Sequence, residues 1–150
     1  MDFRDYRQGD FETLWRLDQL CFVPDIAYSR PELRQFLALK DAITIVADEG
    51  KAVVGFVLVH KRGSRGHIIT IDVHPEHRRR KIGDRLIAVA ERRLAKAGAD
   101  SIFLEVAVDN AAAIGFYQRH DYKQIEHIPE YYNGELDAYR MGKELKAAVS

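Results

Sequence analysis

The chain has 150 residues, of which 47% are hydrophobic and 31% charged, and its 23 basic residues balance its 23 acidic residues. This composition is that of an ordinary globular protein, so we expect one folded domain over residues 1–150 and no extensive disorder. The single cysteine excludes an intramolecular disulfide and cysteine-rich zinc sites, and the sequence shows no apolar run of membrane-spanning length. The charged start is not expected to be a secretion signal, so we expect a cytoplasmic location.

The first part of the chain predicts a short strand and two helices. Residues 3–7 are compatible with a strand, and Asp10 is placed to cap a helix over residues 11–21, whose apolar side chains recur at helical spacing. The capping-box sequence Ser29–Glu32 predicts the start of a second helix, which ends near Leu39.

The middle of the chain predicts three strands. Residues 42–47 and 52–60 are apolar and rich in β-branched side chains, and the turn between them makes a hairpin. Residues 61–66 contain two glycines and are predicted to form a longer loop. A third strand follows at residues 67–73, and Pro75 ends it.

The last part begins with the clearest helix, over residues 82–97, which Gly98 stops. The order of all elements predicts a mixed α/β or α+β sheet with helices on its faces. The remaining predicted elements are a strand at 101–108, a helix at 110–120 capped by Asp109 or Asn110, and strands at 122–128 and 138–145 on either side of a loop at 131–137.

The charges are unevenly distributed, although they balance overall. Residues 77–96 hold eight basic and two acidic side chains, whereas residues 100–139 hold eight acidic and two basic ones. Such a chain can bind an anion and a cation at neighbouring places, or can simply present two solvated faces.

Four consecutive cations, Arg78–Lys81, lie between the predicted strand at 67–73 and the predicted helix at 82–97. The first amides of a helix have no partners inside the helix, and its dipole makes that end positive. A diphosphate is therefore a suitable ligand for this junction, although such a run is often an ordinary surface.

A second stretch, residues 104–117, combines a strand, a helix cap and a small-residue helix. Together the two stretches resemble the acetyl-coenzyme A signature of the GNAT family of N-acetyltransferases. The residues that carry the resemblance are Val73, Pro75, Arg78 and Gly83 in the first stretch, and Asn110, Ala113, Phe116 and Tyr117, with Tyr122 beyond them, in the second.

The resemblance implies the GNAT fold, a mixed and mostly antiparallel sheet of about six to seven strands flanked by about four helices. Within the family, the chain is most similar to the RimI-type ribosomal-protein-alanine acetyltransferases, through residues 104–106, 110–114 and 131–141. Lys81 and Asp121 stand where the family has glycine. If position 81 needs a positive φ, the lysine costs roughly 1 kcal/mol, and we expect it to weaken cofactor binding.

The resemblance also implies roles for individual residues, in an attack by a primary amine on the thioester of acetyl-CoA. Glu105 would be the general base, partly buried and with a raised pKa, and Tyr117 would protonate the departing thiolate. Tyr131 and Tyr132 would form the wall of the acceptor site, and no metal is implied. The cofactor would be bound by Ile71, Asp72, Val73, Arg78, Arg79, Arg80, Lys81, Ile82, Gly83, Asp84 and Asn110. Apart from this implied contact of Asp72 with the cofactor, Asp72, His74 and His77 are expected to be ordinary loop or surface residues.

The acceptor implied by the RimI-type resemblance is the α-amino group of a protein or peptide N-terminus. At pH 7 its deprotonation costs roughly 3 kcal/mol less than that of a lysine. The alternatives are acetylation of a small amine, amino acid or polyamine, and a non-catalytic module that binds acyl-CoA. A nucleic-acid-binding module is disfavoured, because the basic run lacks interleaved aromatics. We expect no nucleic-acid or membrane partner, and a monomer or homodimer.

Overall fold

The computed structural model describes residues 1–78 and 80–145. The strands of this part are β1 (Asp2–Asp5), β2 (Ala42–Asp48), β3 (Val53–Arg62), β4 (Arg65–Val73), β5 (Ser101–Ala107), β6 (Lys123–Tyr132) and β7 (Leu136–Glu144). The α-helices are α1 (Phe11–Cys21), α2 (Arg30–Leu37), α3 (Ile82–Lys96) and α4 (Ala111–Arg119). All seven strands form one sheet in the order β1-β2-β3-β4-β5-β7-β6, in which only β4 and β5 are parallel. The predicted fold class is confirmed.

Helices cover both faces of the sheet, because successive side chains of a strand point to opposite faces. On β3, Val57 and Val59 pack with α3, whereas Phe56 and Leu58 pack with α1 and α2. Burying a large aliphatic side chain contributes roughly 1.5–3 kcal/mol, so these two layers carry most of the packing energy. The apolar helix residues buried in them are Phe11, Leu14, Leu17, Leu33, Ile82, Leu86, Ile87, Ala90 and Leu94.

The predicted capping box opens α2. Ser29 Oγ accepts a hydrogen bond from the Glu32 N–H (3.2 Å), and the Glu32 carboxylate accepts one from the Ser29 N–H (2.9 Å). The cap predicted for α1 is different. Asp10 precedes that helix, but its carboxylate accepts hydrogen bonds from the Arg4 guanidinium (2.9 Å) and the Arg7 N–H (2.8 Å). The prediction that Asp10 caps α1 is therefore wrong, because a nearby cation and an earlier amide occupy the carboxylate.

The loop predicted at residues 61–66 is also wrong. Arg62 pairs with Arg65, so β3 and β4 continue to a turn of only two residues. Gly63 has a φ of +62°, and a glycine at the first position is the pattern of a tight type II′ hairpin turn. The turn between β6 and β7, predicted at residues 131–137, is also shorter than predicted, since β6 extends to Tyr132 and β7 begins at Leu136.

A β-bulge in β4 changes which face its side chains occupy. Val59 pairs with Ile68 and Leu58 pairs with Thr70, so Ile69 is an extra residue opposite β3. Beyond the bulge, Thr70 and Asp72 lie on the α1 side of the sheet, the side of Phe56 and Leu58.

The two parallel strands separate soon after they meet. Their pairing is restricted to Arg65 with Ser101, Gly66 with Ile102 and His67 with Phe103. Beyond these pairs, β4 continues to Val73 and β5 to Ala107 without bonds between them, which opens a cleft in the middle of the sheet. In the described part of the chain, no helix has the length and apolar character needed to span a bilayer.

The close approach of β3 and β4 near this cleft gives a test of the packing. A Cβ on Gly55 would lie 2.9 Å from the Asp72 carbonyl oxygen and 3.4 Å from Leu86 Cδ1. We predict that Gly55→Ala lowers the free energy of unfolding in urea by about 1–3 kcal/mol, the usual effect of overpacking. Gly9→Ala is the control, since its Cβ would meet nothing within 4 Å, and should change that free energy by at most about 0.5 kcal/mol. Equal effects of the two substitutions would contradict this view of the packing.

Candidate functional site

A cavity of about 880 Å³ fills the cleft between β4 and β5. One end lies at the start of α3, where Lys81 and Gly83 line it, and the other end is lined by Glu105 and Tyr131. Tyr117 of α4 also lines it. A cavity of this size accommodates a large organic ligand.

The end at α3 is positively charged. Arg78 and Lys81 line it and outnumber the acidic Asp84 in the first turn of α3, and the first N–H groups of α3 are free of helical partners there. Lys81 precedes the helix with a φ of 60°, so the position does require the left-handed conformation that glycine adopts most easily. A Cβ on Gly83 would lie 3.3 Å from Phe116 Cε1, which leaves little room for a side chain.

The structure brings most of the predicted cofactor residues to this cavity, and three of them face elsewhere. Asp72 and Ile82 are buried, and the Arg80 guanidinium contacts His77 Nδ1 (2.6 Å) and Glu49 Oε2 (3.4 Å). Arg79 lies outside the described residues. The predicted residues that line the cavity are Ile71, Val73, Arg78, Lys81, Gly83, Asp84 and Asn110.

Two residues of the α4 region face the middle of the cavity. Asn110 Oδ1 accepts a hydrogen bond from the Ala113 N–H (3.1 Å), so this side chain caps α4 while it lines the cavity. Burial, with the nearby Asp72 carboxyl, raises the pKa of the Tyr117 phenol above its ordinary value. Tyr117 therefore keeps its proton at neutral pH and can donate a hydrogen bond or a proton to an anion.

Glu105 is the acidic group at the other end. Its side chain is only 6% exposed, and its two oxygens accept hydrogen bonds from His67 Nε2 (2.7 Å) and Arg140 Nε (2.9 Å). Burial raises the pKa of Glu105, but the hydrogen bonds and charges of His67 and Arg140 outweigh burial and hold it below its ordinary value. The expectation of partial burial is confirmed, whereas the expectation of a raised pKa is wrong, because hydrogen bonds from His67 and the Arg140 guanidinium stabilise the ionised carboxylate.

Aromatic side chains line the cavity near Glu105. The Tyr131 hydroxyl lies 3.4 Å from Glu105 Oε1, and Tyr132 stands edge-on to Tyr131 with ring centroids 4.9 Å apart. The segment between α1 and α2 completes this end, and Asn133 Nδ2 donates to the Asp25 carbonyl (2.9 Å), which ties that segment to the β6–β7 turn.

Sequence reasoning missed this interhelical segment as well as the partners of Glu105. Its contribution to the cavity comes from Phe22, Ile26 and Tyr28, next to Cys21 at the end of α1. A cluster of apolar and aromatic residues between two helices, without helical spacing of its own, was the available signal. The positions of His67 and Arg140 gave no such signal, because sheet register alone brings them to Glu105.

Comparison with known proteins assigns the chain to a family. The sequence profile of the acetyltransferase (GNAT) family matches residues 11–122. An acetyltransferase of Pectobacterium atrosepticum is 33% identical over 132 residues, which are 85% of this chain and 92% of that protein. The chain belongs to the GNAT family. It is thus an N-acetyltransferase, as the sequence motifs predicted.

Solved structures show the GNAT fold over the whole length. The ribosomal-protein-S18-alanine N-acetyltransferase of Escherichia coli aligns with a TM-score of 0.87 and 20% identity, over 99% of this chain and 96% of that one. An aminoglycoside 6'-N-acetyltransferase complexed with coenzyme A aligns with a TM-score of 0.83 and 17% identity, over 100% of both chains. The two proteins are named for very different amines, so the GNAT fold alone leaves the acceptor open.

Beneath the cavity of this GNAT protein lies a pair of buried carboxyl groups. Asp72 was expected at the surface and is fully buried, because the bulge at Ile69 turns it toward Asp18 of α1. Asp18 also accepts a hydrogen bond from the Tyr28 N–H (2.7 Å), which anchors the interhelical segment. Burial raises the pKa of both carboxyl groups, and their proximity raises that of Asp72 further. Asp18 Oδ1 and Asp72 Oδ2 have no hydrogen-bond partner among the described residues, and a proton shared by the two carboxyl groups would satisfy both atoms.

This pair makes stability depend on pH in a direction that can be measured. The unfolded chain releases both protons near the ordinary aspartate pKa, whereas the folded pair retains a proton to higher pH, so stability is lost as pH rises. Asp72→Asn can still donate to Asp18 without ionising. We predict that the fall in unfolding free energy from pH 5 to pH 9 is smaller in Asp72→Asn than in the wild type, by about 1 kcal/mol or more. Denaturant titrations check this, with exposed Asp2→Asn as the charge control, and equal slopes in Asp72→Asn and wild type would disprove the shared proton.

Proposed function

We propose that the protein transfers the acetyl group of acetyl-CoA to the α-amino group of a protein or peptide N-terminus. The observation that carries this proposal is one continuous cavity that joins the cationic start of α3, the Tyr117 hydroxyl and the Glu105 carboxylate. The sequence-based expectations of a cytoplasmic monomer or homodimer, without nucleic-acid or membrane partners, belong to the same proposal.

The residues along the cleft suit acetyl-CoA. Arg78 and the free backbone amides at Lys81 and the start of α3 would hold the diphosphate, because a helix start and a guanidinium group both favour phosphate. At Ile71 and Val73, the edge of β4 that faces β5 has no strand partner, while the opposite edge still pairs with β3. The open edge would bond the pantetheine amides, with Asn110 also lining the cavity. The cofactor supplies the thioester. The residues named above would orient that thioester toward Tyr117.

Tyr117 and Glu105 would divide the proton transfers between them. As the amine nitrogen bonds to the acetyl carbon and the carbon–sulfur bond breaks, Tyr117 donates its proton to the leaving sulfur. The amine loses its proton toward the Glu105 carboxylate, directly or through a water. The Tyr131 hydroxyl lies 3.4 Å from the same carboxylate, which supports an acceptor wall beside this step.

The lowered pKa of Glu105 favours an N-terminal amine as acceptor. Because the pKa of Glu105 is lowered, its carboxylate is a weak base, so the amine must reach the site largely uncharged. An α-amino group with a pKa near 7.7–8.0 meets that condition at slightly alkaline pH, whereas a lysine near 10.4 costs roughly 3 kcal/mol more. A protein N-terminus therefore suits this site better than a lysine or a polyamine does.

Cofactor binding can be tested at the start of α3. We predict that Gly83→Asp abolishes acetyl-CoA binding in calorimetry, because it adds bulk and negative charge where the diphosphate would lie. Lys81→Gly should keep the affinity or improve it, since it removes a left-handed lysine that costs roughly 1 kcal/mol. Thermal unfolding checks that both variants fold. Unchanged affinity in a folded Gly83→Asp variant would overturn the assignment of this end of the cavity.

Acceptor and mechanism can be tested together by measuring CoA release with N-terminal peptides, spermidine and free amino acids. We predict that peptides are acetylated and that kcat/KM rises to a plateau with a midpoint near pH 8, the pKa of an α-amine. No midpoint should come from Glu105 above pH 5, because its pKa is lowered. Turnover of spermidine or free amino acids without turnover of peptides would replace this proposal with a small-amine acetyltransferase.

The same assay tests the two catalytic groups. Glu105→Gln should lower kcat by roughly 100-fold and Tyr117→Phe by roughly 10- to 1,000-fold, both with unchanged acetyl-CoA affinity. Glu126→Gln is a matched control, because Glu126 is an exposed carboxylate that also accepts from Arg140 (2.9 Å). Its kcat should stay within about twofold of the wild type. Full activity in Glu105→Gln or Tyr117→Phe would leave that residue with a packing role only, and loss of cofactor binding in both would point to a non-catalytic effect.

A further inference from the structure

A second, smaller cavity lies on the sheet close to Glu105. It has a volume of about 220 Å³, and we call it the arginine basin, because Arg62, Arg65 and Arg140 line it together with Phe103. The Arg65 guanidinium carbon stands 4.3 Å from the Phe103 ring centroid and that of Arg140 stands 5.6 Å away. Stacking on an aromatic face fixes a guanidinium while its N–H groups stay available for an anion.

The positive charge of the arginine basin is only partly neutralised. Arg140 pairs with Glu105 and Glu126, both at 2.9 Å. Arg62 and Arg65 pair with each other across the tight β3–β4 turn, and neither forms an ion pair with a carboxylate in residues 1–78 and 80–145. Two like charges held side by side in a concave surface repel each other, and an anion between them removes that repulsion.

A continuous row of contacts connects the arginine basin to the acceptor end of the main cavity. The Tyr131 hydroxyl approaches Glu105, which bonds to His67, and the His67 ring is stacked on Phe103 with centroids 4.5 Å apart. Arg65 lies on the same Phe103 ring. Arg65 pairs with Ser101, four positions before Glu105 on β5, so the two ends of the row are about 13 Å apart at 3.3 Å per residue.

This separation matches the length of a short peptide. An extended chain advances by about 3.3–3.6 Å per residue, so a side chain on the third or fourth residue of an acceptor would reach the arginines while its N-terminus lies at Glu105. Arginine forks bind carboxylates with two parallel hydrogen bonds. A polyamine or another polycation would be repelled at this place.

We propose that the arginine basin binds an acidic side chain at the third or fourth residue of the acceptor polypeptide and so selects the N-termini that are acetylated. This inference rests on the proposed function of the main cavity. Arg62 and Arg65 are the specificity-determining residues, and Phe103 holds Arg65 in place.

The experiment compares two acceptor peptides that differ only by Glu or Gln at the fourth position. We expect kcat/KM of the wild type to be at least 10-fold higher for the Glu peptide, with the difference in KM rather than kcat. In Arg62→Gln/Arg65→Gln that ratio should fall to about one, while turnover of the Gln peptide and the Kd of acetyl-CoA stay within about twofold of wild type. The charge-retaining Arg62→Lys/Arg65→Lys variant should keep part of the preference, because a lysine attracts a carboxylate without the two-pronged fit.

Arg92→Gln/Lys96→Gln is the matched control, because it removes the same charge from exposed positions of α3. It should leave the preference unchanged. Moving the single Glu from position two to position six should give the highest kcat/KM at position three or four, and raising the salt from about 20 to 300 mM should reduce the preference.

The outcomes separate the two proposals. Acetylation of both peptides without a preference for Glu, or a preference that survives in Arg62→Gln/Arg65→Gln, overturns the arginine basin as an acceptor subsite and leaves the proposed function intact. An equal loss in the α3 control also overturns it, because the effect is then one of net charge. If no peptide is acetylated while a small amine is, both proposals fail. Binding of duplex DNA that the Arg62→Gln/Arg65→Gln substitutions abolish, without any effect on peptides, would assign the basin to nucleic acid instead.

Discussion

The loss of pairing between β4 and β5 after His67 and Phe103 is the constraint on which the rest of this structure depends. Parallel neighbours that separate leave backbone amides and carbonyls without strand partners, and such groups bond to side chains, to water or to a ligand. The Val73 carbonyl, for example, accepts a hydrogen bond from Arg78 Nε (3.2 Å). The separation therefore creates the cavity and, at the same time, a row of hydrogen-bonding groups along one of its walls. The start of α3 follows β4 directly, so the positive end of a helix lies where the open edge ends.

Two acidic residues near this opening behave in opposite ways, for reasons that lie in their neighbours. Glu105 and Asp72 are both withdrawn from water, which by itself raises the pKa of each. Glu105 meets His67 and Arg140, which lower its pKa, whereas Asp72 meets Asp18, a second carboxyl group that raises it. The first stays a carboxylate that faces the cavity. The second lies behind the cavity beside Asp18, and this pair joins α1 to β4. Asp18 accepts the hydrogen bond from the Tyr28 N–H that fixes the segment between α1 and α2.

Local signals in the sequence predicted most elements of the fold, although they misplaced the Asp10 cap and the β3–β4 turn. Contacts between distant strands decided the geometry of the site, which was not predicted. The capping box at Ser29, the cap at Asn110 and the long α3 depend on residues within a few positions of each other, so their pattern was sufficient. The bulge at Ile69 and the pairing of Glu105 with Arg140 depend on strand register, which no short motif encodes. For that reason the place of Asp72 and the direction of the Glu105 pKa shift were predicted wrongly.

The basic run at residues 77–96 shows which cations in this chain remain available to bind a ligand. Within the described part of residues 77–96, Arg85 lies over the ring of Phe3 and Arg93 pairs with Asp5, so much of the run serves internal contacts. Of the described basic residues in this run, only Arg78 and Lys81 line the main cavity. Arg62 and Arg65, which sequence reasoning treated as loop residues, carry charge that no described carboxylate neutralises, because a tight turn holds them together on the sheet. Position relative to an open strand edge or a tight turn, rather than the density of charge along the sequence, decides which cations remain available to bind an anion.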